Sequence, residues 1–233
     1  MNADEAGPPG ELIGRGRTAD VFALGDDSVL RRYRDGQNAE PEGKLIGHLT
    51  RQSFPVPLVH SAHGGDLVME RLYGPTMLGA LIAGEMDIET AMTVLAELHR
   101  ALRQVGPPPD ALVPTGHGLI HLDLHPDNVI MEPGRGPVLI DWNNAEIGPG
   151  DLDVAMTALI MAEVAVNPDG AELVGALHDQ LRHAVGVFLA AAGGAPVAQL
   201  GEAVRRRVAN VTLSEDERRA SVRAGDLVVE LAR

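Results

Sequence analysis

Residues 116–153 read GHGLIHLDLHPDNVIMEPGRGPVLIDWNNAEIGPGDLD, and what this stretch does locally decides the fold. At its centre Pro133-Gly134-Arg135-Gly136 is a turn cluster between two apolar runs, Val129-Ile130-Met131 and Val138-Leu139-Ile140, which predicts a β-hairpin. The two runs are nearly equal in length about the turn. Asn128, just before the first, and Asp141, just after the second, are therefore expected side by side at the open end. Upstream, His121-Leu122-Asp123-Leu124-His125-Pro126-Asp127 reads as a loop in which Asp123 stands five residues before Asn128. A carboxamide oxygen and a carboxylate at one point, with a further carboxylate nearby, is a common way to hold a hard cation such as Mg²⁺ while keeping a base free.

The spacing H-x-D-x-x-x-x-N, followed by a strand pair and an Asp-aromatic step, is also the catalytic-loop and metal-loop pattern of the kinase-like phosphotransferases. His121 to Ile130, then Asp141-Trp142, then Gly150-Asp151-Leu152-Asp153-Val154-Ala155 resemble the aminoglycoside phosphotransferase branch. The resemblance implies an α+β, bilobal protein-kinase-like fold, with a small N-terminal antiparallel sheet lobe bearing one helix and a larger, mainly helical C-terminal lobe. It implies ATP (or GTP) as donor, Mg²⁺ as cofactor and a hydroxyl of a small molecule as acceptor. On the same basis Asp123 accepts or orients the hydroxyl proton, Asn128 and Asp141 carry the metal, and His121, His125 and Asp153 hold the loop. Leu122 departs from the glycine usual between His and Asp in this branch.

Toward the N-terminus, residues 11–22 read as a strand, a glycine turn and a second strand. Gly14 and Gly16 let backbone N–H groups approach phosphate oxygens with no Cβ in the way, although Ala19 replaces the third glycine of G-x-G-x-x-G and an ordinary hairpin gives the same pattern. A third strand over Ser28 to Tyr33 puts Val29 and Arg31 on one face. By resemblance Arg31 stands where relatives carry a phosphate-gripping lysine, and arginine, longer and planar, is not a silent substitute; a solvated strand arginine is the blander reading. In the helix expected over Ala39 to Arg51, Glu42 precedes Leu45, Ile46 and Leu49 at helical spacing and is the first candidate to pair with Arg31, with Glu40 second. Asp66 to Leu72 reads as a strand running into Tyr73-Gly74-Pro75, a boundary between lobes. The resemblance sets adenine against the backbone of Glu70 to Leu72, with Met69 lining its pocket, though Met69 reads equally well as core. The expected nucleotide side is thus Gly14, Arg15, Gly16, Arg31, Glu42, Met69, Glu70 and Leu72.

Downstream, Asp87 caps a stripe of Ile88, Ala91, Met92, Leu95, Leu98 and Leu102. Pro107-Pro108-Pro109 marks a loop. Further helices are expected from Leu152 to Val166, from an Asn167-Pro168 cap to about Ala192, after Pro196, and behind the capping box Ser214-x-x-Glu217. The expected organisation is a disordered 1–10, a nucleotide-binding lobe over 11–72 and a catalytic and substrate lobe over 73–233.

Composition bounds the rest. The chain has 233 residues and no cysteine, which excludes disulfides and thiolate zinc. A net charge of −14 argues against nucleic-acid binding. Residues 1–10 lack the apolar core of a signal peptide, and no run approaches the roughly 18 apolar residues of a membrane span, so a cytoplasmic location is expected. Residues 117–200 hold eleven acids against only Arg135 and Arg182, while residues 201–233 hold seven arginines against six acids. Negative charge near the site would steer a cationic acceptor, with Glu146, Asp151 and Glu163 as candidate contacts. Two other functions stay open: a nucleotide-binding pseudokinase, drawing on Arg31 and Ala19, and a metal-dependent hydrolase with His121, Asp123, His125 and Asp127 on one side of an extended loop.

Overall fold

A computed structural model of the chain describes residues 10–109, 111–166 and 171–233. Most of the expected disordered start and the Asn167-Pro168 cap lie outside the described residues. In chain order the first elements are β1 (Leu12–Arg15), β2 (Ala19–Leu24), β3 (Ser28–Tyr33), α1 (Glu40–Arg51), β4 (Val59–His63), β5 (Asp66–Glu70), α2 (Met77–Ile82) and α3 (Ile88–Leu102). There follow β6 (Gly118–Ile120), β7 (Val129–Glu132), β8 (Gly136–Leu139), β9 (Glu146–Gly148), α4 (Gly150–Val166), α5 (Ala171–Ala192), α6 (Leu200–Ala209) and α7 (Glu215–Leu231). Two compact units result. The first ends at Gly74 and takes in Ile130–Asn143; the second holds Pro75–Val129 and Asn144–Arg233.

The first unit is an antiparallel sheet in the order β1-β2-β3-β5-β4 with α1 packed against β4. β3 is its middle strand because Val29, Leu30 and Tyr33 are all buried, and pairing on both sides fixes Arg31 opposite Val21 and Leu67. α1 has no side-chain cap, but Pro41 in its first turn and the carboxylates of Glu40 and Glu42 suit a helix start. A Cβ on Gly43 would lie 2.6 Å from Ala62 Cβ, so α1 rests directly on β4. β4 was not foreseen: its sequence VHSAH has no apolar alternation, and its pairing with β5 makes it a strand.

The β7–β8 hairpin forms as expected, but it belongs to the first unit, which departs from the expected lobe boundary at residue 73. Long-range bonds account for this. Arg135 donates to Glu70 Oε2 at 2.9 Å and to the Val56 carbonyl at 2.6 Å, Leu139 N–H donates to the Pro55 carbonyl at 2.9 Å, and Trp142 meets Phe54 edge-on at 5.7 Å. The linker is tied in as well, with Tyr73 N–H donating to Glu132 Oε2 at 2.7 Å. At Gly74 the chain passes so close that any Cβ would fall on the Met131 carbonyl. Gly74→Ala is therefore expected to cost about 3 kcal/mol, the upper end of overpacking effects, read as a lowered midpoint in urea with an unchanged m-value.

The second unit is helical. Asp87 caps α3 by accepting from Thr90 N–H at 2.7 Å, and the stripe Met92, Leu95, Leu98 and Leu102 is buried, each side chain contributing about 1.5–3 kcal/mol. α4 is buried continuously from Leu152 to Leu159 and packs against α5, α6 and α7. A helix buried on every side over such a stretch can exist only inside such a sleeve. α7 starts at the expected capping box of Ser214 and Glu217. β6 and β9 pair as a two-stranded ribbon that leads into the loop at His121; α2 and β9, too short for a periodic signal, were not foreseen. Among the described residues no single helix is long and apolar enough to cross a membrane.

Candidate active site

In the first unit Arg31 is the centre. Its guanidinium, 7 % exposed, donates from Nη1 to Glu42 Oε1 at 2.5 Å and from Nη2 to Asp141 Oδ1 at 2.5 Å. Glu42 also accepts from the Tyr33 hydroxyl and from Trp142 N–H at 3.1 Å. Three donors on one buried carboxylate explain why it tolerates burial. Burial alone would lower Arg31, but the charges of Asp141 and Glu42 hold it above the usual arginine value, so the guanidinium stays charged. The blander reading of Arg31 as a solvated strand residue is corrected: Arg32, its neighbour, is the exposed one, paired with Asp66 at 2.7 Å. Glu40, the second candidate partner, faces His63 instead, at 3.8 Å.

The glycine turn spans residues 16–18, with Gly16 N–H donating to the Ala19 carbonyl at 2.9 Å, while Gly14 sits within β1 beside a bulge. Arg34, which sequence reasoning passed over, holds this turn. Its Nε reaches Asp20 Oδ1 at 3.1 Å, its Nη1 the Arg17 carbonyl at 3.0 Å, and its Nη2 the carbonyls of Gly16 and Ala19. Arg34→Ala is expected to raise KM for ATP about 5-fold, roughly one hydrogen bond's worth of order, with Tm little changed. Arg15 is exposed, 3.6 Å from Asp20. Met69, Glu70 and Leu72 lie at the end of β5 and just past it, all half-buried, and Glu70 spends its carboxylate on Leu58 N–H and Arg135.

In the second unit the loop 121–128 is tied down from beneath. Asp153 Oδ1 accepts from His121 N–H at 3.1 Å and Leu122 N–H at 2.6 Å, and Asp153 Oδ2 lies 3.3 Å from His99 Nδ1. His99 Nε2 lies 3.0 Å from Thr157 Oγ1, whose proton goes to the Leu124 carbonyl at 2.6 Å. Thr157 has one proton to give, so it accepts from His99 Nε2–H, while Nδ1 of the same ring faces Asp153. Burial would raise Asp153, but the hydrogen bond and charge of His99, with His121 and Leu122 N–H, hold it below the usual carboxylate range. His99 was missed because a histidine on the apolar stripe of α3 reads as core.

Leu122 and Asp141 both have positive φ, 64° and 63°, the left-handed region that L side chains avoid. This explains why glycine suits the position between His and Asp. Here the two Asp153 bonds bracket the strained residue and hold it. Asp123 N–H donates to His121 Nδ1 at 3.2 Å, and Asn128 Nδ2 donates to the Asp123 carbonyl at 2.8 Å and to Asp123 Oδ2 at 3.3 Å, with His125 Nε2 also 3.3 Å away. The amide hydrogens of Asn128 are thereby occupied, which leaves Oδ1 to be offered elsewhere. His121 is fully buried and turned into the protein, so the hydrolase reading with four ligands on one side of the loop does not hold.

All three candidate acids for a cationic acceptor are already paired. Glu146 takes Arg206 Nη1 at 2.8 Å, Asp151 takes Arg103 at 3.0 Å and the Ala195 N–H at 3.1 Å, and Glu163 takes Arg207 at 2.5 and 3.0 Å with Ser221 Oγ at 2.6 Å.

Residues 10–117 and 109–191 match the model of the phosphotransferase enzyme family, APH. The chain belongs to that family. It is a small-molecule kinase that uses a nucleotide donor, built on the kinase-like fold. No curated protein sequence matches it. Among solved structures, a thermostable mutant of aminoglycoside phosphotransferase APH(4)-Ia is 16% identical with a TM-score of 0.61, covering 97% of both chains. The gentamicin complex of APH(2")-IIa is 14% identical with a TM-score of 0.59, over 99% of this chain and 96% of that one. A choline/ethanolamine kinase family protein from Mesorhizobium loti is 16% identical with a TM-score of 0.55, over 97% and 89%. At such identities the likeness is one of fold, and the family match is what assigns phosphotransferase chemistry.

Proposed function

We propose that this phosphotransferase moves the γ-phosphate of ATP, with magnesium, to a hydroxyl of a small molecule. The observation that carries it is the buried Arg31 clasped by Glu42 and Asp141, a charged fork of the kind that binds phosphate oxygens. On the nucleotide side, Arg31 neutralises phosphate charge, and the glycine turn ordered by Arg34 covers the phosphates. Met69 and the backbone of Glu70 to Leu72 receive the base. On the acceptor side, Asp123 orients the hydroxyl and takes its proton late, as a loose transition state allows.

Asn128 and Asp141 suit magnesium by donor type: a carboxamide oxygen freed by its anchored amide hydrogens, and a half-exposed carboxylate with one oxygen on Arg31. When bound, the ion supplies positive charge to the phosphate oxygens. The lack of cysteine suits a reducing cytoplasm. A cationic acceptor such as an aminoglycoside, expected from the charge distribution, meets carboxylates that arginines already hold.

A second reading, nucleotide binding without turnover, draws on one observation: Arg31 occupies an oxygen of Asp141 that a metal would otherwise take. Titration of the protein with ATP, with and without magnesium, followed by assay of ADP release, separates the two. Magnesium-dependent binding with turnover supports transfer. Arg31→Ala is expected to raise KM for MgATP about 10- to 100-fold, the loss of charge-assisted hydrogen bonds. Binding that ignores magnesium, with no ADP formed in the presence of any alcohol tried, would favour the second reading.

A further inference from the structure

Two threonines inside helices return their proton to their own helix. Thr50 donates to the Ile46 carbonyl at 3.0 Å and Thr93 to the Glu89 carbonyl at 2.7 Å, each four residues back. Thr157, within α4, does otherwise. Fully buried, it gives its proton to the Leu124 carbonyl at 2.6 Å, 33 residues away in the chain. A hydroxyl withdrawn from the ordinary helical bond and spent on a loop carbonyl holds that carbonyl in place.

The surroundings of Thr157, all on the second unit, form a bracket. Thr157 stands one helical turn after Asp153, on the same face of α4. Asp153 Oδ1 takes the N–H of Leu122 at 2.6 Å and Thr157 takes the carbonyl of Leu124, so the chain on either side of Asp123 is fastened to one helix. His99 of α3 joins the two fastenings: its Nε2–H meets Thr157 Oγ1 at 3.0 Å, and its Nδ1 lies 3.3 Å from Asp153 Oδ2. The bracket opposes a built-in tendency to relax, because Leu122 sits at a φ of 64°, a conformation that persists only where its surroundings impose it.

We propose that Thr157 is a positioning residue for Asp123: its hydroxyl, oriented by His99, fixes the Leu124 carbonyl and, together with Asp153, sets where the Asp123 carboxylate stands. The proposal rests on the phosphotransferase reading for what Asp123 does, while the fixing of the loop is measured apart from turnover. A misplacement of about 1 Å at a reacting group costs about 100-fold in rate, so a bond made away from the substrate reaches kcat through Asp123. Packing and positioning make opposite demands on this site. Packing needs the methyl group and accepts valine; positioning needs the hydroxyl and accepts serine.

The full-length protein, Thr157→Val and Thr157→Ser are compared in two ways. ADP release from MgATP, with water as the acceptor, gives kcat and KM, and hydrogen–deuterium exchange gives the protection of the amides of residues 122–125. Thr157→Val is expected to lower kcat about 10- to 100-fold while KM for MgATP stays within about 3-fold. Its exchange at 122–125 is expected to quicken about 10-fold, with α5 as in the parent. Thr157→Ser is expected to keep kcat and exchange within about 3-fold of the parent, because it keeps the donor. Should the valine variant not fold, Thr157→Cys, whose thiol is a weak donor, takes its place and is expected to show lower kcat and faster exchange than serine. Either a parental kcat or a parental exchange rate in Thr157→Val overturns the proposal, as does a serine variant that loses as much as valine or cysteine. Absence of ADP release from the unaltered protein counts against the phosphotransferase reading alone, and exchange then decides the proposal.

Discussion

Replacing Asp123 with asparagine is expected to lower kcat by about 10²- to 10⁴-fold, the range that a positioned general base contributes. The substitution keeps the side-chain shape and leaves the main-chain anchor intact, since Asn128 Nδ2 binds chiefly the Asp123 carbonyl, at 2.8 Å. KM for MgATP should then stay within about 3-fold, because none of the Arg31, Glu42 and Asp141 contacts is touched. ADP release at saturating acceptor, with and without the substitution, makes the measurement. A kcat within a factor of about three of the parent would remove Asp123 from the chemistry and leave it a loop residue.

Asp153→Ala should have the largest effect on stability. The substitution strips partners from His121 N–H and Leu122 N–H and removes the buried carboxylate that faces His99 Nδ1. Breaking a buried pair in this way costs about 3–5 kcal/mol, enough to unfold a marginal domain. Asp153→Asn is the gentler probe, and its pH dependence has a definite sign. The folded carboxyl titrates below its unfolded value, so its contribution is fully present above the ordinary carboxylate range and is lost as pH falls through the depressed one. The stability gap between the parent and Asp153→Asn should therefore be widest near neutrality and narrow in acid. A gap that grows on acidification would show that Asp153 is not held as the anion.

Much of this architecture could be read from local pattern. The hairpin turn at 133–136, the Asp87 cap and the Ser214–Glu217 box are short-range signals whose physics is complete within a few residues. Pairing of Arg31 with Glu42 was expected because relatives join those positions. What escaped were features made by distant chain. β4 is a strand only because β5 lies beside it, and the hairpin sides with the sheet through Arg135, Leu139 and Trp142, bonds that no spacing rule reveals. Charge patterning misled for the same reason. Counting acids over residues 117–200 located negative charge correctly, but their neutralising arginines come largely from α6, in the segment counted as basic.

The continuous burial of α4 has a consequence for biosynthesis. This helix leaves the ribosome well before α6 and α7, yet those later segments supply much of its cover. Until α6 and α7 emerge, a column of methionine, leucine and valine waits without shelter, so the helical unit cannot finish packing before those two segments have been made. Truncations that remove α7 should accordingly yield inclusion bodies or chaperone clients instead of weakened enzyme.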